Sequence, residues 1–308
     1  MAFRFKRKEA VSKAIRRLAI ERLDKSVREL KEGDKLEAVH SLRKNIKKVR
    51  AILRLVRAEM GKKSYREYTD LLREAADYLA AARDAHVRLQ ALAALILHFD
   101  RQLAPRPFVH LKKALRKNCD VVSHELSKGK SLLTVSRILK RLSKKFLRLS
   151  LKKSGWAAVT PGIKCSYRSG RKTLAKIRRD PADENFHEWR KRVKDLCYQV
   201  LVLHPIWPEE MCALAEELKT LSDQLGDDHD LVMLSQAAEE VCLPEAARQE
   251  VSTLKGSIGH RQRELRSAAM RLGSRLYVEK PAVFCKKLGC WWDIWRHKKP
   301  LTHRSRPP

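Results

Sequence analysis

The stretch His40-Ser41-Leu42-Arg43-Lys44-Asn45-Ile46-Lys47-Lys48-Val49-Arg50-Ala51-Ile52-Leu53-Arg54 decides how this chain is read. Placed on a helix at about 100° per residue, with His40 at the origin, it separates into two faces. Arg43, Lys44, Lys47, Arg50 and Arg54 fall between about −80° and +40°. Leu42, Ile46, Val49, Ile52, Leu53 and Val56 fall on the other side. The helix therefore has one oily face and one cationic face.

An ordinary surface helix pairs Glu with Lys at i,i+4. From Ala38 to Ala58 this one carries no carboxylate. Like charges three and four residues apart cost roughly 0.2–0.5 kcal/mol each, about 1–2 kcal/mol along the stripe. An anion laid along it would reverse that sign. A solvated basic face would look the same in isolation, but the pattern recurs.

His187-Glu188-Trp189-Arg190-Lys191-Arg192-Val193-Lys194 repeats it at an offset of 147 residues. His187, Arg190, Lys191 and Lys194 match His40, Arg43, Lys44 and Lys47, and Trp189, Val193 and Leu196 match Leu42, Ile46 and Val49. Arg83-Asp84 lies 44 residues after His40, and Asp230 lies 43 after His187. Two landmarks at one offset imply duplication of a helical unit of about 150 residues. The second stripe is shorter, because Asp195, Cys197 and Leu201 stand where Lys48, Arg50 and Arg54 would be.

The rest of the chain is also read as helices. Helical segments are expected over 4–32, 35–60, 64–99 with a bend near Arg83-Asp84, 108–128, 131–154, 163–179, 183–204, 209–242 with an interruption near Gly226, and 244–277. Gly33, Gly61 and Gly129 serve as stops, and Pro105 and Pro107 as breakers. Gly155 to Gly162 reads as the junction between halves spanning 1–155 and 156–280, with a basic Trp-containing tail over 281–308.

Charge narrows the partners. The 308 residues include 68 Lys plus Arg against 36 Asp plus Glu, a formal net charge of +32. No acid interrupts Leu126 to Arg179, which holds 17 basic residues, whereas Pro208 to Glu250 holds 12 acidic residues and two basic ones. So uneven a field suits nucleic acid, an anionic surface or polyphosphate. The seven scattered cysteines form no CxxC pair, which indicates a reduced compartment. With no secretory h-region and no apolar run of spanning length, the expected location is the cytoplasm, and no membrane is expected as partner.

The ordered set of motifs resembles the CHAD domain, the conserved-histidine alpha-helical domain, over residues 5 to 280. The His-x-x-Arg element with spaced Arg and Lys occurs once per half. Leu225-Gly226-Asp227-Asp228-His229-Asp230 is similar to the family's second acidic element, Arg83-Asp84 to its first, and Tyr198 is placed as in the family. The resemblance implies an all-α fold of two four-helix bundles related by approximate two-fold symmetry. It also implies inorganic polyphosphate in a basic groove or pore. The implied contacts are His40, Arg43, Lys47 and Arg50, then His187, Arg190, Arg192 and Lys194. Spacing adds Lys44, Arg54 and Lys191. Arg168, Arg171 and Lys172 either extend the groove or are solvated. Lys47-Lys48 replaces a more usual Arg pair, and lysine binds phosphate without the bidentate fork.

Polyphosphate carries charge on every unit and no bases, so its binder needs rows of cations rather than stacking platforms. Aromatic residues are 6% here and are not interleaved with the stripes. Nonspecific nucleic-acid binding, to RNA, DNA or a ribosome, is the second reading. Catalysis is not expected, because spacing sets no carboxylate or nucleophile beside His40 or His187. No P-loop, Rossmann or HExxH pattern calls for a cofactor. Asp227, Asp228 and Asp230 read as a helix cap after Gly226 rather than a metal site. A histidine among cations should have a lowered pKa, raised again by a bound polyanion. A noncatalytic module of this kind would serve as a scaffold, as a device targeting polyphosphate granules, or as an accessory to phosphate enzymes.

Overall fold

Helix periodicity governs almost every segment of the computed structural model, which describes residues 3–32, 34–102, 107–241 and 248–297. In chain order the helices are α1 (Val11–Glu32), α2 (Lys35–Leu55), α3 (Arg57–Met60), α4 (Lys62–Asp77), α5 (Ala80–His98) and α6 (Val109–Ser127). There follow α7 (Lys130–Leu147), α8 (Gly155–Ile177), α9 (Asp183–Leu203), α10 (Pro208–Glu240), α11 (Arg248–Leu276) and α12 (Pro281–His297). No strand occurs among the described residues, so the all-helical expectation holds. No described helix is long and apolar enough to cross a membrane. Gly33, Pro105, Cys242, Pro244 and the tail from 298 onward lie outside the described residues.

The oily faces read from the sequence make the core. Leu42, Val49, Ile52 and Leu53 of α2 are wholly buried, as are Trp189 and Val193 of α9. Each such side chain contributes about 1.5–3 kcal/mol relative to exposure. α1 packs on α2 and α7, and in the second half α8 packs on α9 and α12. α2 and α9 meet at the centre. One buried cluster runs through both halves, from Phe5 to Trp292. A smaller one, built on Leu92, Leu95, Leu111, Leu231, Leu234 and Ile258, lies beneath α5, α6, the far part of α10 and α11.

Several boundaries move, each for a local reason. The first helix starts at Val11 rather than Arg4, although Phe5 is buried and its N–H donates to Val202 O at 3.0 Å. The second ends at Leu55, because Val56 leaves helical geometry at φ −108° and the chain restarts as α3. The long 64–99 segment divides at Tyr78-Leu79, which puts Arg83 and Asp84 inside α5 instead of at a bend. α7 stops at Leu147.

The stretch read as a junction opens α8, with Pro161 inside the helix. Gly162 explains why that register is kept. A Cβ there would lie 1.9 Å from the Leu55 carbonyl oxygen, so the start of α8 crosses the end of α2 backbone to backbone. α10 also runs unbroken past Gly226, which corrects both the interruption and the cap proposed for the acids after it. Glycine within a helix costs about 1 kcal/mol. Burial of Leu225 and Leu231 beside it outweighs that cost.

The Trp-rich end finds a place in α12. Trp292 is buried, with its ring 5.6 Å from Trp156 and 5.9 Å from Phe5. Arg296 lies 4.8 Å over Trp292, and its Nη2 donates to Glu9 O at 2.7 Å.

Candidate anion-binding site

The contact of α2 with α9 turns their cationic faces towards one cavity of about 240 Å³. The start of α2 is fixed by Asp34, whose Oδ1 accepts from the N–H groups of Leu36 and Glu37 at 3.0 and 2.9 Å. α2 then supplies Arg43, Lys47, Arg50 and Arg54 to the cavity wall. α9 supplies His187, Arg190, Lys191 and Lys194, together with Asp195. Arg83 from α5 and His229 from α10 complete the lining. Among the described residues, eight Arg and Lys side chains therefore surround a space lined by one carboxylate.

That carboxylate is already engaged. Asp195 is 7% exposed and contacts Arg54 directly. Burial raises the Asp195 carboxyl above the usual range, and Arg54 pulls it back. Other partners stand just behind the wall. Arg83 donates to Asp84 at 2.9 Å and to Asp230 at 3.4 Å, and Arg190 lies 3.8 Å from the same Asp230 oxygen. Arg43 donates to the Ala76 carbonyl at 3.0 Å, which leaves its charge uncompensated by that bond. The Nε of Arg50 is buried without an acceptor among the described residues.

Lys47 shows the consequence most clearly. No carboxylate among the described residues pairs with it. Burial first, then Arg190, Arg83, Lys194 and Arg43, lower its pKa to about 7. Burial likewise lowers Arg43, Arg50, Arg190 and Lys194 from their ordinary values. His187 falls to about 4 through burial, Lys191 and Arg190. His229 falls to about 3 through burial, Arg190 and His187. A multivalent anion would reverse every one of these shifts, since opposite charge favours the protonated forms.

The remaining expected residues are distributed differently. His40 and Lys44 are exposed on α2, outside the lining, although Lys44 and Lys47 add to burial in lowering the His40 pKa. Arg192 faces a neighbouring cavity and pairs with Glu188. Arg168, Arg171 and Lys172 line a separate cavity with Arg178, Ser274 and Tyr277. Lys48 turns away, 5.3 Å over the Phe3 ring. Arg83 and His229 are the additions. Both lie in motifs visible in the sequence, Arg83-Asp84 and the acidic element at 227–230, but nothing in the spacing aims their side chains at α2.

Asp228, read as part of a cap, is a buried structural acid. Its Oδ1 accepts from Arg266 Nε at 2.6 Å and from Gln262 at 3.3 Å, and Arg266 also reaches Asp183 at 2.5 Å. Among the described residues no group of three or more His, Cys, Asp or Glu is disposed to hold a metal ion.

A family model described as the CHAD domain matches residues 14–239. Among solved structures, the CHAD domain from the plant Ricinus communis superimposes with a TM-score of 0.64 at 18% identity, covering 90% of this chain and 94% of that one. PptA from Streptomyces chartreusis superimposes with a TM-score of 0.59 at 15% identity, covering 85% of this chain and 97% of that one. A search of curated protein sequences finds no match.

Proposed function

Since the chain belongs to the CHAD domain family, we propose that it is a noncatalytic binder of inorganic polyphosphate, held in the basin between α2 and α9. One observation carries this reading. Eight Arg and Lys side chains converge on one cavity whose single lining carboxylate is tied to Arg54. Arg43, Lys47, Arg50, Arg54, Arg83, Arg190, Lys191 and Lys194 are the contacts, and His187 and His229 donate once protonated. A fixed row of cations matches a ligand that repeats its charge and has nothing else to recognise. With Asp195 engaged, the described residues of the wall offer no free carboxylate for general-base work.

The second reading, a nucleic-acid backbone, lacks its usual support. Apart from the two histidines, no aromatic ring among the described residues lines the basin on which a base could stack. Trp189 and Trp292 belong to the core. A cytoplasmic role at polyphosphate granules accords with the six free cysteines among the described residues. Calorimetric titration with long-chain polyphosphate across a salt series tests the proposal. Tight binding that weakens steeply with salt, alongside weak binding of orthophosphate, is expected from counterion release. Salt-insensitive or absent binding refutes it.

A further inference from the structure

Arg54 and Asp195 line two cavities at once. Beyond them a larger space, about 860 Å³, opens over α3, the beginning of α4 and one face of α8. Arg57, Lys62, Arg66 and Arg73 line it, with Arg192 from α9. Arg66 and Arg73 share one acid, Asp70, at 3.5 and 3.6 Å. Arg57 stacks 4.8 Å over the Tyr65 ring, and neither it nor Lys62 has a carboxylate at ion-pair distance among the described residues. α4 begins at the rim with no side-chain cap and no acid in its first turn, so its free N–H groups add to the positive field. Of the cations lining this space, the sequence motifs named only Arg54 and Arg192.

The element between the two spaces is the departure in the second repeat. Asp195 stands where the first half has Lys48. Its carboxylate meets Arg54 as a phosphate oxygen would. We propose that the larger space is a second polyphosphate-binding chamber and that the Arg54–Asp195 pair is the gate between it and the basin. The inference rests on the polyphosphate reading and adds chain-length selection to it. A short chain fills the basin and leaves the pair closed. A long chain crosses it by taking Arg54 from Asp195. That exchange leaves a buried carboxylate without its partner, which is costly. Only a ligand that reaches the cations of the second chamber offsets the cost.

Calorimetry at one fixed salt concentration, with tripolyphosphate and long-chain polyphosphate as ligands, tests the gate. It compares wild type, Asp195→Asn and the double variant Arg57→Gln/Arg73→Gln, with circular dichroism as the check on folding. Asp195→Asn is expected to raise long-chain affinity about tenfold and tripolyphosphate affinity less than about threefold. The double variant is expected to lower long-chain affinity about tenfold, with a clearly smaller loss for tripolyphosphate. Its side chains are exposed, so it decides the matter should Asp195→Asn fail to fold. Variants that leave both ligands unchanged, or shift both by one factor, overturn the gate while the basin stands. Failure of wild type to bind either ligand overturns the polyphosphate reading and the gate with it.

Discussion

The Nδ1 atoms of His187 on α9 and His229 on α10 stand 3.0 Å apart at the wall of the basin. One ring must donate and the other accept, so the pair is stable only while it shares a single Nδ1 proton. Arg83, Arg190 and Lys191 face the pair and resist a second proton, with Glu188 the opposing charge on α9.

The first prediction concerns acid. Both histidines titrate below the ordinary value of 6.5, His187 at about 4 and His229 at about 3. Between pH 6.5 and 4 the unfolded chain binds protons that the folded protein refuses, so stability is lost as pH drops through that window. Thermal melting of the free protein should drop there more steeply than melting of His229→Gln. Saturating long-chain polyphosphate should flatten the slope. Equal slopes for wild type and variant would contradict the assignment.

Lys47 sets the second prediction. Free, it titrates at about 7 against an ordinary lysine value of 10.5. In the complex the ligand raises it, so binding takes up a proton above pH 7 and affinity declines as pH climbs from there. Lys47→Met should remove that dependence and weaken binding. It should also stabilise the free protein by roughly 1–3 kcal/mol, because a buried ammonium among cations is lost. Chemical denaturation, with calorimetry in buffers of differing ionisation enthalpy, checks both parts.

Arg43 and Arg190 furnish the third. Reversing both, as Arg43→Glu with Arg190→Glu, removes two charge-assisted contacts and plants two acids in the basin. Affinity for long-chain polyphosphate should fall about a hundredfold or more. Circular dichroism checks the fold, because Arg190→Glu also sets an acid beside Asp230. Unchanged affinity in a folded variant would remove the basin from the binding account.

The fourth prediction is structural. Asp228→Ala removes one of the two acids that hold Arg266, leaving Asp183, and should cost about 1–3 kcal/mol in denaturant unfolding. Asp228→Asn keeps part of the hydrogen bonding and should cost less. A loss within about 0.5 kcal/mol, the range of surface substitutions, would contradict the structural role of Asp228.

Much of this architecture was legible beforehand. A strict helical period places Leu42, Val49 and Ile52 of α2, and Trp189, Val193 and Leu196 of α9, on faces that are buried in the structure. It also identifies most of the basin wall, because a stripe opposite a buried face has only one way to point. What escaped depends on packing between distant segments. Arg83 and His229 enter the basin through the seating of α5 and α10, which spacing within one helix does not encode. Gly226 reads as a break only until burial around it is known. Gly162 and Pro161 suggest a linker, until the crossing of α8 over Leu55 makes glycine the residue that fits. The gate residue, Asp195, was visible as a departure from the repeat, but its pairing with Arg54 was not.

The most direct measurement is a competition between long-chain polyphosphate and RNA for the wild-type protein, at matched phosphate concentration and one fixed salt concentration. Polyphosphate should displace bound RNA, and RNA should displace bound polyphosphate only in large excess. Preference for RNA under those conditions would contradict the claim that the α2–α9 basin is built for a polyanion without bases.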